Sequence, residues 1–265
     1  MPTARHGDVS LFYDREGDGD PVVFVGDTGY GAWQWGWQHG AVAGPYESLV
    51  TELRGTGRSD APPGPYSVPD LAGDLDAILA DAGVGGAHVV GAGLGGMVAL
   101  EAARSSSPSA SRIRSLVLVG SAATGDGIDL GSLYADPSDE DGLRGSLDPA
   151  LSATFFREQA GAVERILAWR AAEDAERAAW EAQAAAVDAF DASDWLVEVT
   201  QPTLVLHGTA DAVWPAERGR ELAEDLPRGE FVGVEGAGHL AHVEHSRVVN
   251  DHLLGFLDRV TDDDG

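Results

Sequence analysis

The sequence contains no cysteine and no lysine. Without cysteine there is no disulfide frame, no thiol nucleophile and no thiolate metal ligand. Without lysine all 17 basic residues are arginines, set against 44 acidic residues for a formal net charge of -27. A surface of that sign repels nucleic acid and anionic membranes, which excludes both as expected partners. Long apolar runs are missing too. The longest are strand-sized, and the opening stretch MPTARHGDVSLFYDREG has no apolar centre. Neither a secretory signal nor a membrane span is therefore expected, and a cytoplasmic location follows.

The acidic excess carries its own expectation. In dilute buffer such a surface repels itself, whereas at molar salt the Debye length falls to roughly 3 Å and the repulsion is screened. The charge balance thus suits a halophilic, salty cytoplasm. A GC-rich genome would account for arginine in place of lysine, but not for the surplus of carboxylates.

At 265 residues and 43% hydrophobic content the chain suits one large domain with an insertion. Short apolar runs recur at Pro21 to Val25, Ser48 to Leu53, Ala87 to Gly91, Ser115 to Gly120, Pro202 to His207 and Glu230 to Glu235. Several are apolar nearly throughout, as buried parallel strands require. Helical patterns alternate with them over Val68 to Ala82, Gly95 to Ala103 and Val248 to Val260. Alternation of this kind predicts an α/β fold, a mostly parallel, doubly wound sheet covered on both faces. The rhythm breaks in the middle. Residues 122–149 are rich in Gly, Asp, Ser and Pro, and 151–190 form an Ala-, Glu- and Arg-rich helical block without a strand. We read 122–192 as a helical cap inserted into a core made of 1–121 and 193–265, and the tail 261–265 as frayed. Phe155, Phe156, Ile166, Leu167, Trp169, Trp180 and Phe190 are its large apolar side chains, available to cover a pocket or to pack its helices on each other.

The chemistry concentrates in HVVGAGLGGMVALEAA, residues 88–103, where a buried strand meets a glycine-dense turn and then a helix. That is the context of a nucleophile elbow, whose tight helix packing needs small residues, here Gly91, Gly95 and Gly96. Two later segments are PTLVLHGTADAVWP, 202–215, and EGAGHLAHVE, 235–244. Together with LRGTGRSDAP, 53–62, they resemble the α/β-hydrolase superfamily, especially its lactonase, esterase and haloperoxidase-like branch. In that branch the turn normally reads Gly-x-Ser-x-Gly-Gly; here it reads Gly91-Ala92-Gly93-Leu94-Gly95-Gly96. The resemblance implies the α/β-hydrolase fold, Asp211 as catalytic acid, His239 as catalytic histidine, and a nucleophile position vacant at Gly93. It also implies an oxyanion hole from the backbone N–H groups of Asp27 and Leu94, and a pocket bordered by Gly26, Trp33, Trp35, Ala92 and Ser121.

The departures matter most. Gly93 has no side chain to carry an acyl group. Ser59 and Ser121 follow family-like turns, but each also suits an ordinary turn or cap. Asp27 is awkward beside a developing oxyanion; acid, acceptor for a substrate hydroxyl, and solvent-facing side chain are its open readings. An Asp211–His239 pair remains competent to activate water or to abstract a substrate proton. His239, His242 and His245 recur every third residue, yet in a loop, so no metal is expected. GAGLGG resembles a dinucleotide loop only superficially, lacking the first strand of a βαβ unit and the acidic residue on the next strand, and no cofactor is expected.

Three functions follow. The first is an enzyme without a serine acyl-enzyme, acting on a small, partly apolar carbonyl, ester or lactone substrate through His239 and Asp211. The second is a small-ligand-binding protein with a retired triad, and the third a hydrolase with a displaced nucleophile. Under the first, a water or ligand atom is expected between Gly93 and His239; a gain of esterase activity in Gly93→Ser would mean that only the attacking group is missing, and no gain would favour the retired pocket. No feature of the sequence selects an oligomeric state.

Overall fold

In the computed structural model of the chain, which describes residues 2–263, eight strands form one sheet. They are β1 Thr3–His6, β2 Val9–Glu16, β3 Pro21–Val25, β4 Glu47–Thr51, β5 Ala87–Ala92, β6 Ile113–Val119, β7 Thr203–Gly208 and β8 Gly229–Val234. Their order is β1-β2-β4-β3-β5-β6-β7-β8. From β4 to β8 every pairing is parallel, while β1–β2 and β2–β4 are antiparallel. The helices are α1 Gly36–Val42, α2 Val68–Asp81, α3 Leu94–Ala103, α4 Glu140–Gly145, α5 Ala153–Glu158, α6 Ala160–Glu173, α7 Arg177–Asp188, α8 Ala216–Asp225, α9 Ala241–Glu244 and α10 Ser246–Asp263.

Strand alternation sends successive side chains to opposite faces. Val23 and Val25 of β3 join Leu71, Leu75 and Met97 under α2 and α3, whereas Val22 and Phe24 join Leu253 and Phe256 of α10. Both faces are dry. That is why the parallel strands read as unbroken apolar runs.

The six expected strands all form, displaced by at most two residues. The hairpin β1–β2 escaped the sequence reading, because β1 buries only Ala4 and the last three residues of β2 are exposed. α10 runs three residues past its expected end, with no glycine or proline before Gly265 to stop it. Of the tail expected to fray, Asp264 and Gly265 lie outside the described residues.

Residues 122–192 lie between β6 and β7 and carry α4 to α7. The chain crosses itself where it leaves and returns: Gly125 N–H donates to Phe190 O at 3.1 Å and Ala192 N–H to Ala123 O at 2.9 Å. Arg170 of α6, 1% exposed, ties this segment together. Its guanidinium pairs with Asp174 at 2.6 Å and donates to Ser146 Oγ at 2.8 Å and Leu143 O at 3.0 Å.

Candidate active site

The chain order reverses between β3 and β5, the place where parallel α/β sheets open a crevice beyond their strand ends. The C-terminal loops of β3, β5, β7 and β8 bring Asp27, Gly93, Asp211 and His239 to that crevice.

The turn after β5 is tight. Gly93 stands at φ +46° as N-cap of α3, in the left-handed region that glycine tolerates. A Cβ on Gly91 would strike the Gly95 backbone, and one on Gly95 the Val25 carbonyl, so the helix packs as closely as an elbow requires.

The Asp27 carboxylate fills the space over Gly93, and a Cβ built there would fall inside it. Its Oδ1 accepts from the backbone N–H of Leu94 at 2.9 Å and of Thr28 at 2.6 Å. Its Oδ2 meets His239 Nε2 at 2.8 Å, and on the other side of the ring His239 Nδ1 meets Asp211 Oδ2 at 2.9 Å. Asp211 is fixed in turn, its Oδ1 accepting from the backbone N–H of Val213 and Trp214. One imidazole thus sits between two buried carboxylates. Burial alone would lower the His239 pKa, but Asp211 and Asp27 together push it up to about 10. Burial alone would raise both carboxyls, yet His239, joined by the Leu94 and Thr28 N–H groups at Asp27 and by His207 at Asp211, holds both below the usual range. The directions of all three shifts describe a charged imidazolium between two charged carboxylates.

Several expectations change here. Asp27 is fully buried, not solvent-facing, and its carboxylate occupies the place expected for a water or ligand atom. The expected oxyanion donors are both engaged: Asp27 N–H goes to Gln34 Oε1 at 3.2 Å and Leu94 N–H to the Asp27 side chain. Trp35 and Ala92 do not border the crevice; they belong to the core under α10, with Trp35 against Phe24 and His242. Alternation along the chain could not reveal this, because residues 32–35 form a 3-10 turn rather than a strand. Trp33 faces the helical segment, its Nε1 donating to Asp174 Oδ1 at 2.7 Å. A Cβ on Gly26 would come within 2.8 Å of the Gln34 side-chain amide. Ser121 donates to Gly93 O at 2.8 Å and Ser59 to Glu52 O at 2.8 Å, so both hydroxyls hold turns. His242 is buried on Trp35 with its pKa lowered to about 3 by burial, and His245 faces Glu244 at 3.8 Å. The three histidines do not converge.

Sequence reasoning missed Thr28, Gln34 and His207. His207 ends β7, fully buried, with Nε2 2.8 Å from Trp214 O and 3.3 Å from Asp211 Oδ2. Its position four residues before Asp211 on an apolar strand was the available signal. Thr28 also borders a cavity of about 10 Å³, room for about one water, with Gly29, Tyr30, Tyr134, Arg170 and Trp180. The hydroxyls of Thr28, Tyr30 and Tyr134 have no partner within the protein.

The sequence pattern of the alpha/beta hydrolase fold family matches residues 38–246. The chain belongs to that family. Among similar α/β-hydrolase-fold proteins is RutD of Azorhizobium caulinodans, whose name offers carbamate hydrolysis, 29% identical over 98% of this chain and 99% of its own. The structure of Est816, described as an N-acyl homoserine lactone degrading enzyme, superposes with a TM-score of 0.83 at 27% identity, covering 96% of this chain and 100% of that one. An enol-lactonase from Burkholderia xenovorans superposes with a TM-score of 0.86 over 97% of this chain and 100% of that one; at 22% identity it speaks to the fold. Among the described residues no helix is long and apolar enough to cross a membrane.

Proposed function

We propose that this α/β-hydrolase-fold chain hydrolyses a small, partly apolar ester, lactone or carbamate by direct attack of water, without an acyl group on residue 93. The observation that carries the reading is His239 held between Asp211 and Asp27 directly above a glycine. The names of its relatives supply the substrate classes.

In the resting state His239 has no lone pair to offer. A substrate carbonyl that takes the Leu94 N–H displaces Asp27, which leaves as the neutral acid carrying the Nε2 proton, the form that burial favours once its N–H donors are gone. His239, now neutral and oriented by Asp211, accepts a proton from the water that attacks the carbonyl carbon. The oxyanion rests on the Leu94 N–H. On collapse, His239 returns that proton to the departing oxygen or nitrogen.

A panel of p-nitrophenyl esters, lactones and carbamates tests this. His239→Ala is expected to lower turnover by two or more orders of magnitude. Unchanged turnover in that variant, or stoichiometric fluorophosphonate labelling of one serine, would overturn the reading. The self-filled Leu94 donor favours a second reading, a ligand-binding protein with a retired pair. Under it no substrate turns over and His239→Ala leaves ligand affinity intact.

A further inference from the structure

The two carboxylates that flank His239 differ in how many hydrogen bonds they already accept. A carboxylate offers four acceptor positions. At Asp211 all four are met: Oδ1 takes the backbone N–H groups of Val213 and Trp214, and Oδ2 meets His239 Nδ1 at 2.9 Å and His207 Nε2 at 3.3 Å. Among the described residues Asp27 accepts three, from the N–H groups of Leu94 and Thr28 and from His239 Nε2. We propose that His207 is a positioning residue that acts on His239 through Asp211. By occupying the last acceptor position of that carboxylate, it makes the Nε2 proton, toward Asp27, the one that leaves the imidazolium, and keeps the Nδ1 proton in place. The inference rests on the reading above, in which His239 becomes a base once Asp27 departs as the acid.

The geometry assigns the hydrogen on the His207 ring. Nε2 lies 2.8 Å from the Trp214 carbonyl oxygen, which can only accept, so Nε2 carries a hydrogen and shares it with Asp211 Oδ2. Nδ1 has no partner within the protein. The ring is fully buried at the end of β7, and a Cβ on Gly219 of α8 would strike it, so strand and helix close on the imidazole from two sides. The same hydrogen ties the two ends of the loop that carries the acid, from His207 to Trp214. The Trp214 ring in turn lies against His239, 12° from parallel with centroids 6.4 Å apart.

A carboxylate oxygen that accepts two N–H groups attracts each of them less than one that accepts a single donor. Burial pushes the Asp211 carboxyl up, and His239 and His207 together bring it below the usual range. Without His207, Oδ2 would bind His239 alone and more tightly, and His239 would keep its charge to higher pH. Asp211 would not swing free, because Val213 and Trp214 still hold Oδ1. Asp27 from the β3 loop and His242 from α9 are the other titratable groups that act on the His239 ring, and both stay in place.

The test reads the histidine rings of the full chain by proton and nitrogen NMR without substrate, and measures turnover of the ester, lactone and carbamate panel separately. In the native chain His207 is expected to carry a hydrogen on Nε2. His207→Phe keeps a ring in the space and removes the donor. In that variant the His239 Nδ1–H resonance is expected to move downfield and the His239 titration to rise by about one pH unit. The neutral imidazole near pH 7 then falls about tenfold, and kcat with it, while KM is unchanged. His207→Gln, whose amide places an N–H where Nε2 stands, is expected to restore both readings. A residue that merely packs would change the melting temperature and leave the titration where it was, or loosen Asp211 and lower it. A His239 titration that stays or falls in His207→Phe, a His207→Gln chain that behaves like His207→Phe, or a native His207 ring bare at Nε2 would each overturn the inference. If His207→Phe does not fold, the native ring decides. Titrations that move as expected in a chain without turnover would uphold the role of His207 and sink the hydrolytic reading, whereas turnover with an unmoved titration would do the reverse.

Discussion

Asp27→Asn isolates what a second carboxylate does to His239. Removing that charge should bring the His239 pKa down from about 10, a shift read from ring-proton NMR. The same pair governs stability against pH. A histidine whose folded pKa lies above its ordinary 6.5 contributes stability that is complete below 6.5 and is lost as pH rises through about 10. Asp27 and Asp211, held below their ordinary 3.8, contribute stability above that value and lose it on acidification. Chemical denaturation of the native chain should therefore be hardest between about pH 4 and 6.5 and ease steadily toward pH 10; a flat profile over that upper range would contradict the charged cluster. Gly93→Ser by itself should not yield an esterase. Its Cβ would enter the Asp27 carboxylate at a left-handed φ, a strain of about 1–3 kcal/mol that a urea titration would detect. Combined with Asp27→Gly the hydroxyl has space, and p-nitrophenyl acetate hydrolysis with fluorophosphonate labelling at Ser is the expected gain. The single exchange is thus insufficient, because the obstacle is the Asp27 side chain, which comes from the loop after β3.

At the scale of elements, the Arg170–Asp174 pair at the end of α6 fixes a carboxylate that, with Glu173, accepts hydrogen bonds from the β3 loop. Asp174 accepts from Arg170, from Gly31 N–H and from Trp33 Nε1, immediately after Asp27 and Thr28. Arg170→Met would strand a buried carboxylate and leave Ser146 and the Leu143 carbonyl without their donor. A loss of about 3–5 kcal/mol in urea unfolding is expected, with Asp174→Asn in the same background recovering part of it. The elements themselves were largely legible. α2 was expected over Val68 to Ala82 and forms over Val68–Asp81, and the structure adds the capping box of Ser67 and Asp70 at its start. The central strands announce themselves as apolar runs because neighbours cover both of their faces. β1 and the exposed end of β2 lack that signal, and Trp35 was misplaced because a 3-10 turn does not follow the alternation of a strand.

At the scale of the molecule the net charge of -27 sets the long-range electrostatics. Screening of that self-repulsion should raise the melting temperature as KCl increases from low ionic strength to molar concentration; a melt that is independent of salt would remove the case for a salt-adapted surface. The sequence by itself determined the alternation of the six central strands with helices and the glycine-packed turn after β5, and its resemblance to a known family supplied Asp211 and His239 as candidates. The first two rest on periodicity and local backbone chemistry, which are written within a few residues. Only the tertiary structure decided what stands over Gly93. Asp27 and His239 are 212 positions apart and meet only when β3 and the loop after β8 converge on the same crevice. The charge on the imidazole depends on burial together with both carboxylates, a property of the assembled crevice and not of any one segment.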